Sequence, residues 1–110
     1  MNVWSVEKRR SLRWAPLLLA ALLPAGCVTM ESIAPSVTPA AASSARTTVA
    51  VLEQGRTIYT TDCTDCHNAV AVTAHTRAEW PDIIRRMAPE SKLTPIEERA
   101  VLAYVMAYSK

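Results

Sequence analysis

In the C-terminal half of the chain, apolar residues recur at three- and four-residue steps over three stretches, and nowhere there do they alternate as strands do. The first stretch, about Val49 to Thr61, sets Val51, Leu52, Ile58 and Tyr59 at helix-compatible spacings, with Glu53, Gln54 and Arg56 on the other side. Gly55 interrupts it, at a cost of about 1 kcal/mol relative to alanine in a helix interior. A glycine in such a place usually lets another backbone come close. The second stretch, about Arg77 to Met87, spaces Trp80, Ile83, Ile84 and Met87 on one helical face. Thr76 and Glu79 form a capping-box pair, and Pro81 predicts that the regular helix starts at about Trp80 or Pro81. The third has the clearest start: Thr94 as N-cap, Pro95 at the first helical position and Glu97 completing the box. It runs to about Tyr108 with Val101, Leu102, Tyr104, Val105 and Tyr108 on its apolar face. The predicted class is all-α, with three main helices.

The N-terminal half has a different organisation. Met1 to Arg13 carries Lys8, Arg9, Arg10 and Arg13 against Glu7, and Trp14 to Ala25 is almost wholly apolar. A basic start, a short apolar run and a small-residue end describe an export signal, and the run is shorter than the roughly 20 residues that span a bilayer. Its end, Leu22-Leu23-Pro24-Ala25-Gly26-Cys27, resembles the lipobox of bacterial lipoproteins, with Pro24 where leucine is usual. That resemblance implies cleavage after residue 26 and lipid on Cys27. The other reading is an ordinary secretory signal with an incidental cysteine. Val28 to Thr48 is dominated by Ala, Ser, Thr, Pro and Val and shows no sustained period, so residues 27–48 are expected to be a flexible, lipid-anchored linker.

The folded unit expected from this division is 49–110, about 62 residues with no Phe and with Trp80 as its only Trp. Domains of that size are marginal without a staple.

Cys63-Thr64-Asp65-Cys66-His67 supplies a candidate staple, because C-x-x-C-H is the form of a c-type haem attachment site. Two thiols one helical turn apart reach the two vinyl groups of one haem, and the adjacent imidazole lies under the iron. Two other chemistries use such residues. A redox-active C-x-x-C pair belongs near a βαβ pattern, which this chain lacks. A structural zinc site wants four ligands, and Cys63, Cys66, His67 and His75 would have to supply them from a poorly spaced set.

The surrounding residues carry a resemblance. Gly55, Tyr59, Cys63, Cys66 and His67, with Ala103-Tyr104-Val105 near the end, resemble the class I c-type cytochromes over nearly all of 49–110. The resemblance implies a cytochrome c-like fold around one covalently attached haem c, held by Cys63, Cys66 and His67. It also implies a contact between the first and last helices in which Gly55 meets Tyr104. Family members normally bind the iron's sixth position with a downstream methionine. Met87 is the preferred candidate, because Glu79-Trp80 through Arg86-Met87 is similar to a pattern of small monohaem subunits. Met106 lies within the last helix, where a thioether more often packs, and His75 follows His67 by only eight residues and is expected in an exposed loop.

Charge adds little about partners. The whole chain is formally +2, but four of its twelve basic residues fall in the export signal. From Cys27 onward eight Lys or Arg face nine Asp or Glu, or −1, which gives a nucleic-acid role no support. No residue pair suggests acid–base or nucleophilic catalysis, so the expectation is a carrier and not an enzyme. What the residues and the resemblance together imply is an exported, membrane-anchored lipoprotein on the periplasmic side. It would pass single electrons between redox proteins such as a dehydrogenase, respiratory complex or oxidase. The alternatives are a haem-based sensor or gas-binding module, and a haem subunit dedicated to one dehydrogenase.

Overall fold

A computed structural model describes residues 26–64, 68 and 70–110. Residues 1–25 of the expected export signal (1–26) lie outside the described residues, as do Cys66 and His67 of the motif. Among the described residues five α-helices follow one another: α1 (Met30–Ile33), α2 (Pro39–Ser44), α3 (Val49–Thr60), α4 (Trp80–Met87) and α5 (Pro95–Tyr108). Short 3-10 turns occupy Asp62–Thr64 and Val72–Ala74, and the described residues contain no strand. No helix among them is long and apolar enough to cross a membrane.

Local chemistry explains where the helices start. Thr48 accepts the Val51 N–H at 3.2 Å to open α3, and Thr94 with Glu97 forms a complete capping box on α5. At Thr76 the box is only half made: the Glu79 carboxylate takes both the N–H and the hydroxyl of Thr76, and α4 begins at Trp80. Asp82 in the first turn of α4 and Arg85 and Arg86 in the last complement the helix dipole. The chain leaves α4 through a turn closed by Lys92 in the left-handed region, with Leu93 N–H on the Ala88 carbonyl.

Helices α3 and α5 form the main contact. Leu52, Gly55, Ile58 and Tyr59 are the buried face of α3, and Ala100, Val101, Tyr104 and Val105 that of α5. A Cβ on Gly55 would overlap the Ala100 carbonyl oxygen and stand 2.7 Å from the Tyr104 Cβ. The two backbones therefore touch at Gly55, which is why a residue that helix propensity penalises sits there.

The segment expected to be a free linker is folded onto this pair. Thr29 and Thr38 cap α1 and α2, and Ala34 and Ala42 are 0% and 3% exposed in the shared core. The Tyr104 hydroxyl donates to the Pro35 carbonyl at 2.7 Å and Tyr108 donates to the Ser36 carbonyl at 3.0 Å. Thr38 N–H in turn donates to the Tyr108 oxygen, and Arg56 Nε bridges the carbonyls of Ala34 and Pro35, each at 3.1 Å. The fold thus begins near Thr29 and not at Val49. Composition missed this because the partners that hold the segment lie 21 to 72 residues away in sequence.

Gly55→Ala is expected to destabilise the domain by about 1–3 kcal/mol in chemical denaturation, despite the gain of about 1 kcal/mol in helix propensity, because overpacking outweighs it. A second expectation concerns acid. Glu31, Glu79 and Glu97 have carboxyls held below the usual glutamate range, first by a backbone N–H and then by a neighbouring hydroxyl. The folded state then binds fewer protons than the unfolded one. Its advantage is complete above the ordinary carboxylate range and is lost as pH falls through the lowered values. The triple variant with Gln at positions 31, 79 and 97 is expected to show a shallower fall of unfolding free energy across that range.

Candidate functional site

The end of α3, the Cys63 turn, the segment 70–75 and α4 border a largely apolar cavity of about 190 Å3, lined by Tyr59, Cys63, His75, Trp80, Ile84 and Met87 among others. Tyr59 reaches it because it lies one turn beyond Gly55, on the face that the α3–α5 contact turns inward. Trp80 reaches it because α4 starts there, with its ring 6.0 Å from Tyr59 at an interplanar angle of 80°.

Two hydrogen bonds shape the wall. The Tyr59 hydroxyl donates to the Val70 carbonyl, and the Trp80 indole N–H donates to the Val72 carbonyl at 3.0 Å. Both large side chains thereby bury their rings while satisfying their polar atoms. They also pin the backbone at 70–72 as it returns from the C-x-x-C-H motif. Burial pushes the Tyr59 phenol up to about 12, with neighbouring Cys63 adding to the effect.

The sequence-predicted site residues fall in different places. Cys63 is half-buried on the cavity wall; burial raises its thiol above the ordinary value, and the Asp62 carboxylate adds to the rise. Cys66 and His67 lie outside the described residues. Met87, at the end of α4, lines the same cavity as Cys63. Met106 does not: it packs against the core and lines a separate groove with Ala41, Arg46 and Arg77. Cys27 is exposed and lies apart from the cavity wall.

His75 differs from the expectation of a solvent-exposed loop residue. It is half-buried, 5.2 Å from Trp80 in an edge-on arrangement (84°), and lines the cavity. Its loop is drawn in by the Trp80–Val72 bond, a contact that sequence spacing does not show. Thr64, Val70, Ile83 and Ile84 also line the wall. Ile83 and Ile84 were on the predicted apolar face of the second helix; Val70 carried no signal beyond its proximity to the motif.

No protein-family model, no curated protein and no solved structure matches this chain.

Trp80→Phe keeps an aromatic wall but leaves the buried Val72 carbonyl without its donor. We expect a loss of about 2 kcal/mol, read as a lower denaturant midpoint at unchanged slope.

Proposed function

We propose that the chain is a lipid-anchored, periplasm-facing monohaem cytochrome c that carries single electrons between redox proteins. The observation that carries this reading is that Cys63, the first thiol of C-x-x-C-H, and Met87, a thioether, open on one apolar cavity. The donor set suits haem: two thiols at the attachment spacing, an imidazole next to the second, and a thioether on the cavity wall. The contact of Gly55 with Tyr104 also agrees with a cytochrome c-like arrangement of first and last helices.

On this reading Cys63 and Cys66 hold the haem covalently, His67 binds the iron, and Met87 is the candidate for the sixth position. Bound there, the haem supplies a one-electron iron couple whose potential a thioether ligand raises. The chain's own residues set the environment of that couple. Trp80, Ile83, Ile84 and Val70 keep water from the cavity and lower the local dielectric. Tyr59 and Trp80, each tied to a backbone carbonyl, keep the wall from repacking between oxidation states. A dehydrogenase, respiratory complex or oxidase is the class of partner, and service to a single dehydrogenase would use the same chemistry.

The place of His75 on the cavity favours a second reading, in which an imidazole takes the sixth position or leaves it to an exchangeable ligand, as in a sensor. Met87→Ala is expected to lower the reduction potential and abolish the red charge-transfer absorbance of the ferric holoprotein, whereas His75→Ala changes neither. The reverse pattern assigns the position to His75. Rapid binding of carbon monoxide by the reduced wild-type protein would establish the sensor reading, and a chain matured without covalent haem overturns the proposal.

A further inference from the structure

We infer that residues 29–48 act as a clasp and that Cys27 therefore holds the folded unit directly against a lipid surface. The inference rests on the proposed lipidation of Cys27 and commits the neighbouring surface to one partner, the bilayer. A chain free from Cys27 to Val49 could extend about 75 Å, and a flexible one of that length would average about 25 Å. The structure removes that reach. Ala34 is fully buried, and its carbonyl and that of Pro35 are held by Arg56, while Tyr104 and Tyr108 hold Pro35 and Ser36. Ahead of Ala34, Arg56 pairs with Glu31 at 3.8 Å, and Glu31 also takes the Ser36 N–H and hydroxyl, each at 2.7 Å. Only Val28 separates Cys27 from Thr29, the cap of α1.

The residues beside Cys27 suit that position. Val28 and Met30 are 76% and 48% exposed, apolar side chains on either side of Thr29 and next to the proposed acyl attachment. Such side chains add apolar area at the headgroup boundary, where a lipid-linked neighbour places them at no further cost in chain entropy. No described residue of the clasp lines the Cys63–Met87 cavity. Exchange partners would then meet the domain at the lipid surface and not at the end of a long tether.

The test is neutron reflectometry of the mature holoprotein on a supported bilayer of phosphatidylethanolamine and phosphatidylglycerol, with intact mass recording the lipid on Cys27. Protein density continuous with the headgroups is the expected result. The double variant Arg56→Ala/Tyr108→Phe should insert a hydrated gap of about 25 Å. A lipidated wild-type protein that already stands off by such a gap overturns the clasp while leaving the anchor intact. A mature chain without lipid, not retained by the bilayer, overturns the anchor and the inference with it. Hydrogen exchange on the same wild-type sample gives an independent check. Protected amides at Ala34 and Ala42 are expected, and exchange at free-chain rates at both refutes the clasp even if the double variant does not fold.

Discussion

The close approach of α3 and α5 at Gly55 is the constraint from which most of the remaining structure follows. Because no side chain separates the helices there, the Ala100 carbonyl and Tyr104 Cβ come within contact of the α3 backbone. One turn before Gly55, Leu52 is then fully buried, and one turn after it Tyr59 is directed into the cavity. On the partner helix the same contact buries Tyr104 so deeply that its hydroxyl must find a protein acceptor. It finds the Pro35 carbonyl, and this bond helps bring the N-terminal segment into the fold.

An unbroken series of rings links the two ends of this arrangement. Tyr108 lies 5.2 Å from Tyr104, Tyr104 lies 6.1 Å from Tyr59, Tyr59 lies 6.0 Å from Trp80, and Trp80 lies 5.2 Å from His75. The three tyrosines and the tryptophan each spend their polar atom on a backbone carbonyl outside the α-helices: Ser36, Pro35, Val70 and Val72 for Tyr108, Tyr104, Tyr59 and Trp80. Segments with little hydrophobic content of their own are thereby fastened to a helical pair. In a domain without phenylalanine, three tyrosines and one tryptophan add apolar area to the aliphatic core and supply most of these cross-links, with Arg56. The small core also explains why the N-terminal clasp matters, since Ala34 and Ala42 extend a cluster that α3, α4 and α5 would otherwise close alone.

Much of this was legible beforehand. The starts of α3, α4 and α5 follow from threonine caps, proline at N1 or N2 and the Glu97 box, all local effects whose partners lie within a turn. Thr38-Pro39 is the same kind of signal as Thr94-Pro95, and it does open a helix. It was hidden by an alanine- and serine-rich composition that a free linker shares. Burial was legible in outline: Leu52, Ile58, Tyr59, Val101, Tyr104 and Val105 lie inside, whereas Ile83 and Met87 are only half-buried because their face borders the cavity.

The sequence alone determined the helical class, the starts of α3, α4 and α5 and the C-x-x-C-H spacing, because these depend on residues a few positions apart. It also marked Gly55 as a residue needing an external reason. Tertiary structure decided what that reason was, that Cys63, His75 and Met87 border one cavity, and that Met106 faces another groove. It decided too that residues 29–48 belong to the fold. Hydrogen bonds from Arg56, Tyr104 and Tyr108 to carbonyls 21 to 72 residues distant leave no local period, and only the folded chain brings donor and acceptor together.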